Sequence, residues 1–247
     1  MRRRTIMTFF VFTRCAISSA RIVGSEASEA IRSGRAHREK FAPPLLVQHL
    51  REDAFALEQA GLFYRAGSGD RSGESDTMRA ADSCDPISRD RDIGNFDAFF
   101  ALWERLDEVR QELADGLGMP LLPEMEISYV RYPVGGYYQR HVDDVADADT
   151  LPELRASSLS SGACASETSR RAVSFVCSLV EGDWDADRDG GALRTFPAGR
   201  ETEDLPMVSG DLILFDSCLL DHEVRSTRRE RLVLVGWWHT PRQVENP

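Results

Sequence analysis

Residues 125–143 have the sequence MEISYVRYPVGGYYQRHVD, which joins a strand-like segment to a pair of candidate metal ligands. Met125–Tyr132 is short and rich in β-branched and aromatic residues, and the Pro-x-Gly-Gly at 133–136 ends it, as is typical of a β-strand followed by a turn. His141 and Asp143 follow. Side chains two residues apart on an extended segment point to the same side, so this pair could hold one ion.

A third ligand has to come from a distant part of the chain, and His222 is the best candidate. It follows a predicted strand at Asp211–Phe215 and precedes one that begins at Arg231, which places it at the rim of a sheet or barrel. Two imidazoles and one carboxylate, without a fourth protein ligand, leave three adjacent positions open on a ferrous ion, as in non-haem oxygenases. A single histidine is more commonly structural, so this hypothesis depends on the residues around it.

Length and composition limit the function classes. The chain has 247 residues, of which 42% are hydrophobic, which suits one globular domain with a leader. A net charge of -11 makes nucleic acid a poor partner. The five cysteines form no C-x-x-C pair, which argues against a zinc knuckle or a disulfide framework and favours a reducing compartment. No apolar run is long enough to span a membrane, so we expect no transmembrane segment.

Residues 1–40 are predicted to be a leader. The first acidic residue is Glu26, and the segment before it is rich in arginine, as in an organellar presequence: Arg2, Arg3, Arg4, Arg14 and Arg21. The short apolar stretch Ile6–Phe12 makes a secretory signal one alternative, and a plain disordered N-terminus is another. We expect a soluble intracellular protein, with an organelle as the alternative compartment.

The domain itself is predicted over residues 41–247, with a helical part at 41–120, a β core at 121–240 and a surface insertion at 146–170. One helix is predicted from Pro44 to near Gly61. A second begins after an N-cap at Asn95 and carries apolar residues at steps of three and four until Gly118. The polar stretch 66–92 between them is predicted to be a loop, and its glycines do not have the spacing of a phosphate-binding fingerprint.

The second half of the chain is predicted to consist of strands. Besides Met125–Tyr132, the short β-branched or aromatic segments are Ala172–Val180, Ala192–Phe196, Asp211–Phe215 and Arg231–Trp238. Helices first and strands afterwards indicate an α+β domain whose sheet closes into a sandwich or barrel.

Four sequence blocks resemble those of the 2-oxoglutarate- and iron(II)-dependent dioxygenases, specifically the prolyl 4-hydroxylase family and, within it, the hypoxia-inducible-factor prolyl hydroxylases. In chain order they are Tyr132-Pro133-Val134-Gly135-Gly136 with Tyr138 to Asp143; Asp183-Trp184-Asp185 with Gly190 to Arg194 and Phe196-Pro197; Gly210 to Phe215; and His222-Glu223-Val224 with Arg231 and Trp237. Their order and spacing follow the family, and together they cover most of residues 125–240.

The resemblance implies a double-stranded β-helix, or jelly roll, supported by N-terminal helices. It makes His141, Asp143 and His222 the ligands of Fe(2+), and Arg231 the partner of the far carboxylate of 2-oxoglutarate. A guanidinium suits that task because it offers a carboxylate a permanently charged, bidentate fork. Tyr132 and Tyr138 match family tyrosines that line this pocket, although either could be an ordinary barrel aromatic. These six residues form the predicted site, and Ser178 is a seventh candidate.

The resemblance also implies an activity. Oxidative decarboxylation of 2-oxoglutarate to succinate and CO2, with O2 as co-reactant and ascorbate as a further cofactor, would accompany hydroxylation of proline in a protein or peptide. We expect a monomer that binds neither nucleic acid nor membrane.

The chain departs from the family pattern in three places. Where a tyrosine usually helps to hold the far carboxylate, this sequence has Cys177-Ser178-Leu179, so Ser178 either supplies a hydroxyl there or is an ordinary strand residue. A proline common after the distal histidine is replaced around Ser226. The insertion at 146–170 leaves from the metal-bearing strand and could reshape the substrate entrance.

Several alternatives stay open at this stage. The same fold could hydroxylate a small molecule or another side chain, or a degenerate barrel could be a non-catalytic binding module. A zinc hydrolase with the same ligands is disfavoured because no general base lies at a diagnostic spacing and Arg231 would have no purpose.

The acidic loop Asp185–Gly190 resembles the start of a calcium-binding loop, but Phe196 occupies the position where a bidentate glutamate is required.

Overall fold

The described part of the chain forms three helices and eleven strands. The computed structural model describes residues 34–65, 78–144 and 168–242, together with Ser28 and Ile31. The helices are α1 (Pro44–Gln59), α2 (Phe96–Leu117) and the short α3 (Ala186–Asp189). The strands are β1 (Arg35–Arg38), β2 (Tyr64–Arg65), β3 (Asp82–Cys84), β4 (Met125–Tyr132), β5 (Tyr138–His141), β6 (Ser169–Ser178), β7 (Leu193–Phe196), β8 (Glu203–Leu205), β9 (Leu212–Asp216), β10 (Asp221–Val224) and β11 (Arg231–Pro241).

The strands form two antiparallel sheets with a cavity between them. The larger sheet has the order β1-β9-β6-β11-β4-β3-β2, and the smaller has the order β5-β10-β7-β8. From β4 to β11 the chain passes back and forth between the sheets, and only β7 and β8 follow each other within one sheet. This is the double-stranded β-helix, so the predicted α+β jelly roll with supporting helices is confirmed.

The two faces of the larger sheet have different surroundings. Successive side chains of a strand alternate between faces. On β4, Ile127 and Tyr129 belong to the apolar cluster that includes the buried sides of α1 and α2, whereas Val130 and Tyr132 belong to a second cluster between the sheets. The sheet therefore has a helix-covered outer face and an inner face that surrounds the cavity.

The helix ends follow local sequence signals. Pro44 occupies the first turn of α1, where its missing N–H has no helical partner to lose. The side chain of Asn95 accepts a hydrogen bond of 3.0 Å from the Ala98 N–H at the start of α2, and Gly118 ends that helix with a left-handed backbone. Both predicted helices are confirmed. Among the residues that the structure describes, no helix is long and apolar enough to cross a membrane.

A buried ionic cluster joins the helices to the sheet. The Asp53 carboxylate, on α1, accepts hydrogen bonds from the Arg89 guanidinium, from the Asn95 N–H at 2.5 Å and from the Tyr129 hydroxyl at 2.8 Å. The side chains of Asp53 and Arg89 are both 0% exposed. Burial and the adjacent Asp53 charge raise the pKa of Tyr129 well above its usual value, so its hydroxyl stays a donor.

Several predicted boundaries need correction. The leader was expected to extend to residue 40, yet Arg35–Arg38 forms β1 and pairs with β9. The strand predicted at Ala172–Val180 begins at Ser169, so the last residues of the predicted insertion are also strand. The predicted loop 66–92 contains β3. These segments are polar and carry only a weak alternating pattern, which is why the sequence did not indicate strands.

The rest of the predicted leader and of the insertion lies outside the described residues. This applies to residues 1–27, 29–30 and 32–33 of the leader and to residues 146–167 of the insertion.

We predict that Asp53→Ala lowers the free energy of unfolding by about 3–5 kcal/mol, because it leaves the buried Arg89 charge without its counter-ion. Urea unfolding followed by circular dichroism measures this. Glu52→Ala, at the exposed neighbouring position on α1, is the matched control and should change stability by no more than about 0.5 kcal/mol. Equal effects of the two substitutions would show that the cluster does not join the layers.

Candidate metal centre

Strand pairing brings His141, Asp143 and His222 together. In the smaller sheet β5 pairs with β10, and His141 lies directly opposite His222. Asp143 follows two residues after β5 and turns back towards them. Its Oδ1 lies 3.4 Å from His141 Nε2 and 3.8 Å from His222 Nε2. One donor atom from each side chain lies within 4.8 Å of the others, and all three residues are buried.

The two histidines are held in the same way. The Nδ1 of His141 lies 2.7 Å from the carbonyl oxygen of Gln139, and the Nδ1 of His222 lies 3.0 Å from that of Leu220. A carbonyl only accepts, so each Nδ1 carries the hydrogen and each Nε2 presents a lone pair to the space beside Asp143. This backbone hydrogen bond is the usual way in which a metal-binding imidazole is oriented.

Aromatic rings restrict both imidazoles further. The ring of Tyr138 stacks on His141 with centroids 3.7 Å apart, and Phe215 packs against His222 at 4.7 Å.

The electrostatics favour the metal-binding protonation states. Burial by itself would raise the pKa of Asp143, but the positive charges that His222 and His141 carry when they are protonated outweigh burial and hold that pKa well below its usual value. Burial, with His141 nearby, lowers the pKa of His222 to about 4. At neutral pH the cluster therefore contains an anionic carboxylate and a neutral His222, the forms that bind a cation.

Arg231 lies in the same cavity, which has a volume of about 270 Å³. It begins β11 opposite Tyr132, and its side chain is almost completely buried, with 1% exposure of the residue. Within the described ranges its Nε, Nη1 and Nη2 have no hydrogen-bond partner. Burial lowers the pKa of Arg231, and the neighbouring Tyr132, whose ring centroid is 4.9 Å from Cζ, partly counteracts this.

Gly191 makes room for this guanidinium. A Cβ at position 191 would lie 2.9 Å from Cδ of Arg231, and the backbone there has φ +71°, which side chains rarely adopt. The Gly-Gly pair singled out in the sequence therefore contributes space beside Arg231.

The other predicted cosubstrate residues differ in position. Tyr132 and Tyr138 line the cavity together with Arg231 and the His-Asp-His cluster. Ser178 is fully buried, and its Oγ has no hydrogen-bond partner among the residues described. It is not among the residues that line the cavity, although it lies on β6 directly opposite Val233, which does line it.

Arg171 is a residue of the site that the sequence did not reveal. Its Nη1 donates to the backbone oxygen of Asp143 at 3.2 Å, and its Nε donates to Glu126 at 2.9 Å. Its Cζ lies 3.8 Å from the ring centroid of Trp237. The charged Glu126 between the apolar Met125 and Ile127 on β4 is the signal that could have identified this network.

The acidic loop considered for calcium does not form a metal cluster. Residues 186–189 form α3, and the Asp189 carboxylate pairs with Arg188 at 2.7 Å. In the part of the chain that the structure describes, no group of three histidine, cysteine or acidic side chains other than His141, Asp143 and His222 is close enough to share an ion.

The residues present fit an iron ion and a dicarboxylate. Two imidazoles and one carboxylate form an incomplete coordination shell that leaves positions for further ligands. A buried guanidinium without an acceptor carries a large free-energy cost unless a ligand supplies an anion. The donor set and the unsatisfied cation lie in one cavity, so a single ligand with two acidic ends could bridge them.

Comparison with known proteins agrees with this geometry. The family model described as the 2OG-Fe(II) oxygenase superfamily matches residues 127–239. A prolyl-4-hydroxylase from Pseudomonas putida is 27% identical, with a TM-score of 0.66, and the match covers 88% of this chain and 98% of that one. A comparison with curated proteins gives no significant match.

Two more distant structures share the fold. A prolyl hydroxylase from Trichoplax adhaerens, in complex with a hypoxia-inducible-factor peptide fragment, has a TM-score of 0.68 at 18% identity, covering 87% of this chain and 90% of that one. The epimerase SnoN from nogalamycin biosynthesis has a TM-score of 0.59 at 15% identity, with 87% and 81% covered. The family match over residues 127–239, the fold and the likeness to the Pseudomonas enzyme together support a 2OG-Fe(II) oxygenase of the prolyl 4-hydroxylase type.

Proposed function

We propose that this 2-oxoglutarate-dependent oxygenase hydroxylates proline residues in a protein or peptide. The observation that carries the proposal is the presence, in one cavity, of the buried His-Asp-His cluster and of an Arg231 guanidinium to which no described residue offers an acceptor. The choice of proline is supported by the 27% identity to the Pseudomonas prolyl-4-hydroxylase over 88% of this chain. The peptide-bound Trichoplax enzyme shows that the fold can accommodate a peptide.

Each residue of the cavity has a distinct task in this proposal. Nε2 of His141 and of His222, with Oδ1 of Asp143, would hold Fe(2+). Arg231 would take the far carboxylate of 2-oxoglutarate through its planar fork, which satisfies the guanidinium. When bound, iron and 2-oxoglutarate supply the oxidising chemistry, in which O2 gives one oxygen atom to succinate and the other to the substrate.

The protein contributes orientation and exclusion of water. Tyr132 lies against Arg231 and Tyr138 against His141, so the two tyrosines mark the walls between the proposed cosubstrate end and the metal end of the cavity. Apolar side chains from both sheets complete the walls and keep the site dry, which strengthens the ionic contacts inside. Ser178 is not needed for this arrangement.

The test is an assay of the purified protein with Fe(2+), ascorbate and 2-oxoglutarate. We expect succinate formation that depends on a proline-containing peptide, with mass spectrometry locating one added oxygen atom on proline. Free proline and other free amino acids are offered in parallel. Turnover with small molecules but with no prolyl peptide would replace proline hydroxylation by the small-molecule alternative. No consumption of 2-oxoglutarate in any mixture would favour a non-catalytic binding module.

We predict that His141→Ala and Asp143→Ala each abolish turnover, because each removes one of the three protein donors that the described residues supply. Calorimetric titration with Co(2+), a redox-stable substitute for Fe(2+), should show the corresponding loss of binding. His49→Ala, a histidine on α1, is the control and should bind Co(2+) as the unmodified protein does. Undiminished Co(2+) binding by the Asp143 variant would refute the metal centre.

We predict opposite effects of Arg231→Met on cosubstrate use and on stability. Loss of two charge-assisted hydrogen bonds should raise the 2-oxoglutarate concentration for half-maximal rate by about 100-fold or more. Replacing an uncompensated buried charge by an apolar side chain should raise the melting temperature of the ligand-free protein by a few degrees, that is, by about 1 kcal/mol or more. Arg225→Met, at a half-exposed neighbouring arginine, should change neither quantity. An unchanged 2-oxoglutarate requirement in the Arg231 variant would contradict the anchor role.

A further inference from the structure

The two oxygens of the Asp143 carboxylate have different surroundings. Oδ1 faces Nε2 of both histidines. Oδ2 points the other way and accepts a hydrogen bond of 2.6 Å from the Oγ of Ser174 on β6. The Oγ of Ser174 in turn lies 2.9 Å from the Oγ of Ser217, which follows β9. Both serines are buried, with exposures of 1% and 0%.

The donor and acceptor in each of these hydrogen bonds follow from the Asp143 carboxylate, at which the chain of hydrogen bonds ends. An ionised carboxylate only accepts, so the hydroxyl hydrogen of Ser174 is used on Asp143. Ser174 has no second hydrogen to offer, and Ser217 must therefore be the donor in the contact between the two hydroxyls. The order is Ser217 to Ser174 to Asp143. Each hydroxyl that accepts a hydrogen bond becomes a better donor, so the two bonds strengthen each other in this dry environment.

Ser217 also holds the backbone of the metal-binding segment. Its carbonyl oxygen accepts hydrogen bonds of 3.0 Å from the N–H groups of both Asp143 and Asp144, and its own N–H donates to Ala172 on β6 at 3.1 Å. One residue thus fixes the main chain of Asp143 directly and its side chain through Ser174. The backbone and the carboxylate of Asp143 are thus both restricted, on either side of the two rotatable bonds of its side chain.

We propose that Ser217 and Ser174 are positioning residues that hold the Asp143 carboxylate in the orientation in which one of its oxygens faces the metal. The proposal rests on the metal centre put forward above and adds to it the groups that orient one ligand. Without the Ser174 hydroxyl, Oδ2 is a buried acceptor without a donor, and the carboxylate can rotate away from the histidines. Loss of a residue that hydrogen-bonds to a metal ligand commonly weakens metal binding by about 10- to 100-fold.

The test is titration of the purified, full-length protein with Co(2+), followed by calorimetry and by the visible absorption spectrum of the bound ion. Ser174→Ala is expected to weaken Co(2+) binding about 10- to 100-fold and to shift the spectrum, because the carboxylate no longer has one fixed orientation. Ser217→Ala, which leaves Ser174 in place, should cause a smaller loss. Ser174→Thr retains the hydroxyl and should restore both the affinity, to within about threefold, and the spectrum.

A matched control separates positioning from general destabilisation. Ser209→Ala removes a serine hydroxyl that donates to the Val180 backbone oxygen at 2.8 Å, beyond the far end of β6, and should leave Co(2+) affinity and spectrum unchanged. Unaltered affinity and spectrum in Ser174→Ala would overturn the proposal while leaving the metal centre intact, provided that Asp143→Ala loses binding. If Ser174→Ala does not fold, unchanged binding by Ser217→Ala overturns it instead. Undiminished binding by Asp143→Ala would instead refute the metal centre itself.

Discussion

The larger sheet is buried on both faces, and each face imposes a different requirement. The outer face must be apolar where it meets α1 and α2, whereas the inner face must carry the polar groups of the cavity. Because side chains alternate along a strand, a shift of one residue in any of β4, β6 or β11 would exchange these two sets. The Asp53 cluster fixes the outer layer by tying α1 and the start of α2 to Tyr129. The arrangement of the cavity depends on that fixed register.

The cavity contains two charges that the chain does not neutralise in the ordinary way. The Asp143 carboxylate is surrounded by imidazoles and serine hydroxyls, and Arg231 has no acceptor within the described residues. A fold selected only for stability would not keep such groups in its interior, since buried charges without counter-ions are expensive. Both become favourable when a cation and a dicarboxylate bind. The least stable features of the ligand-free barrel are therefore the ones that define its chemistry.

Sequence patterns predicted the parts of the structure that are apolar and regular. Met125–Tyr132 forms a strand with the predicted bounds, and Asn95 and Gly118 cap their helix as expected. The sequence patterns did not predict the polar strands. Arg35–Arg38 has a single buried residue, Ala36, and is held as a strand by its pairing with β9. Local propensity cannot indicate a strand whose stability comes from its neighbour.

For a related reason, the sequence predicted the metal ligands of the site but not the serines that contact them. A His-x-Asp pair and a distant histidine carry a recognisable pattern, and the structure brings them together. Ser174 and Ser217 carry none, because a serine in a buried strand has the same sequence signature whether it orients a carboxylate or fills space. Ser178 was proposed from family resemblance, and it lies on β6 opposite Val233 but is not among the residues that line the cavity. Contacts between distant strands distinguish these serines, and they are visible only in the folded structure.

The edges of both sheets have a further consequence for the behaviour of the protein in concentrated solution. The larger sheet ends in the arginine-rich β1 on one side and in the two-residue β2 on the other, and the smaller sheet ends in β5 and in the three-residue β8, which carries Glu203 and Asp204. Short, charged edge strands offer few backbone groups and unfavourable charges to an approaching strand. Edge-to-edge aggregation is thereby discouraged, although the barrel exposes several strand ends around an open cavity.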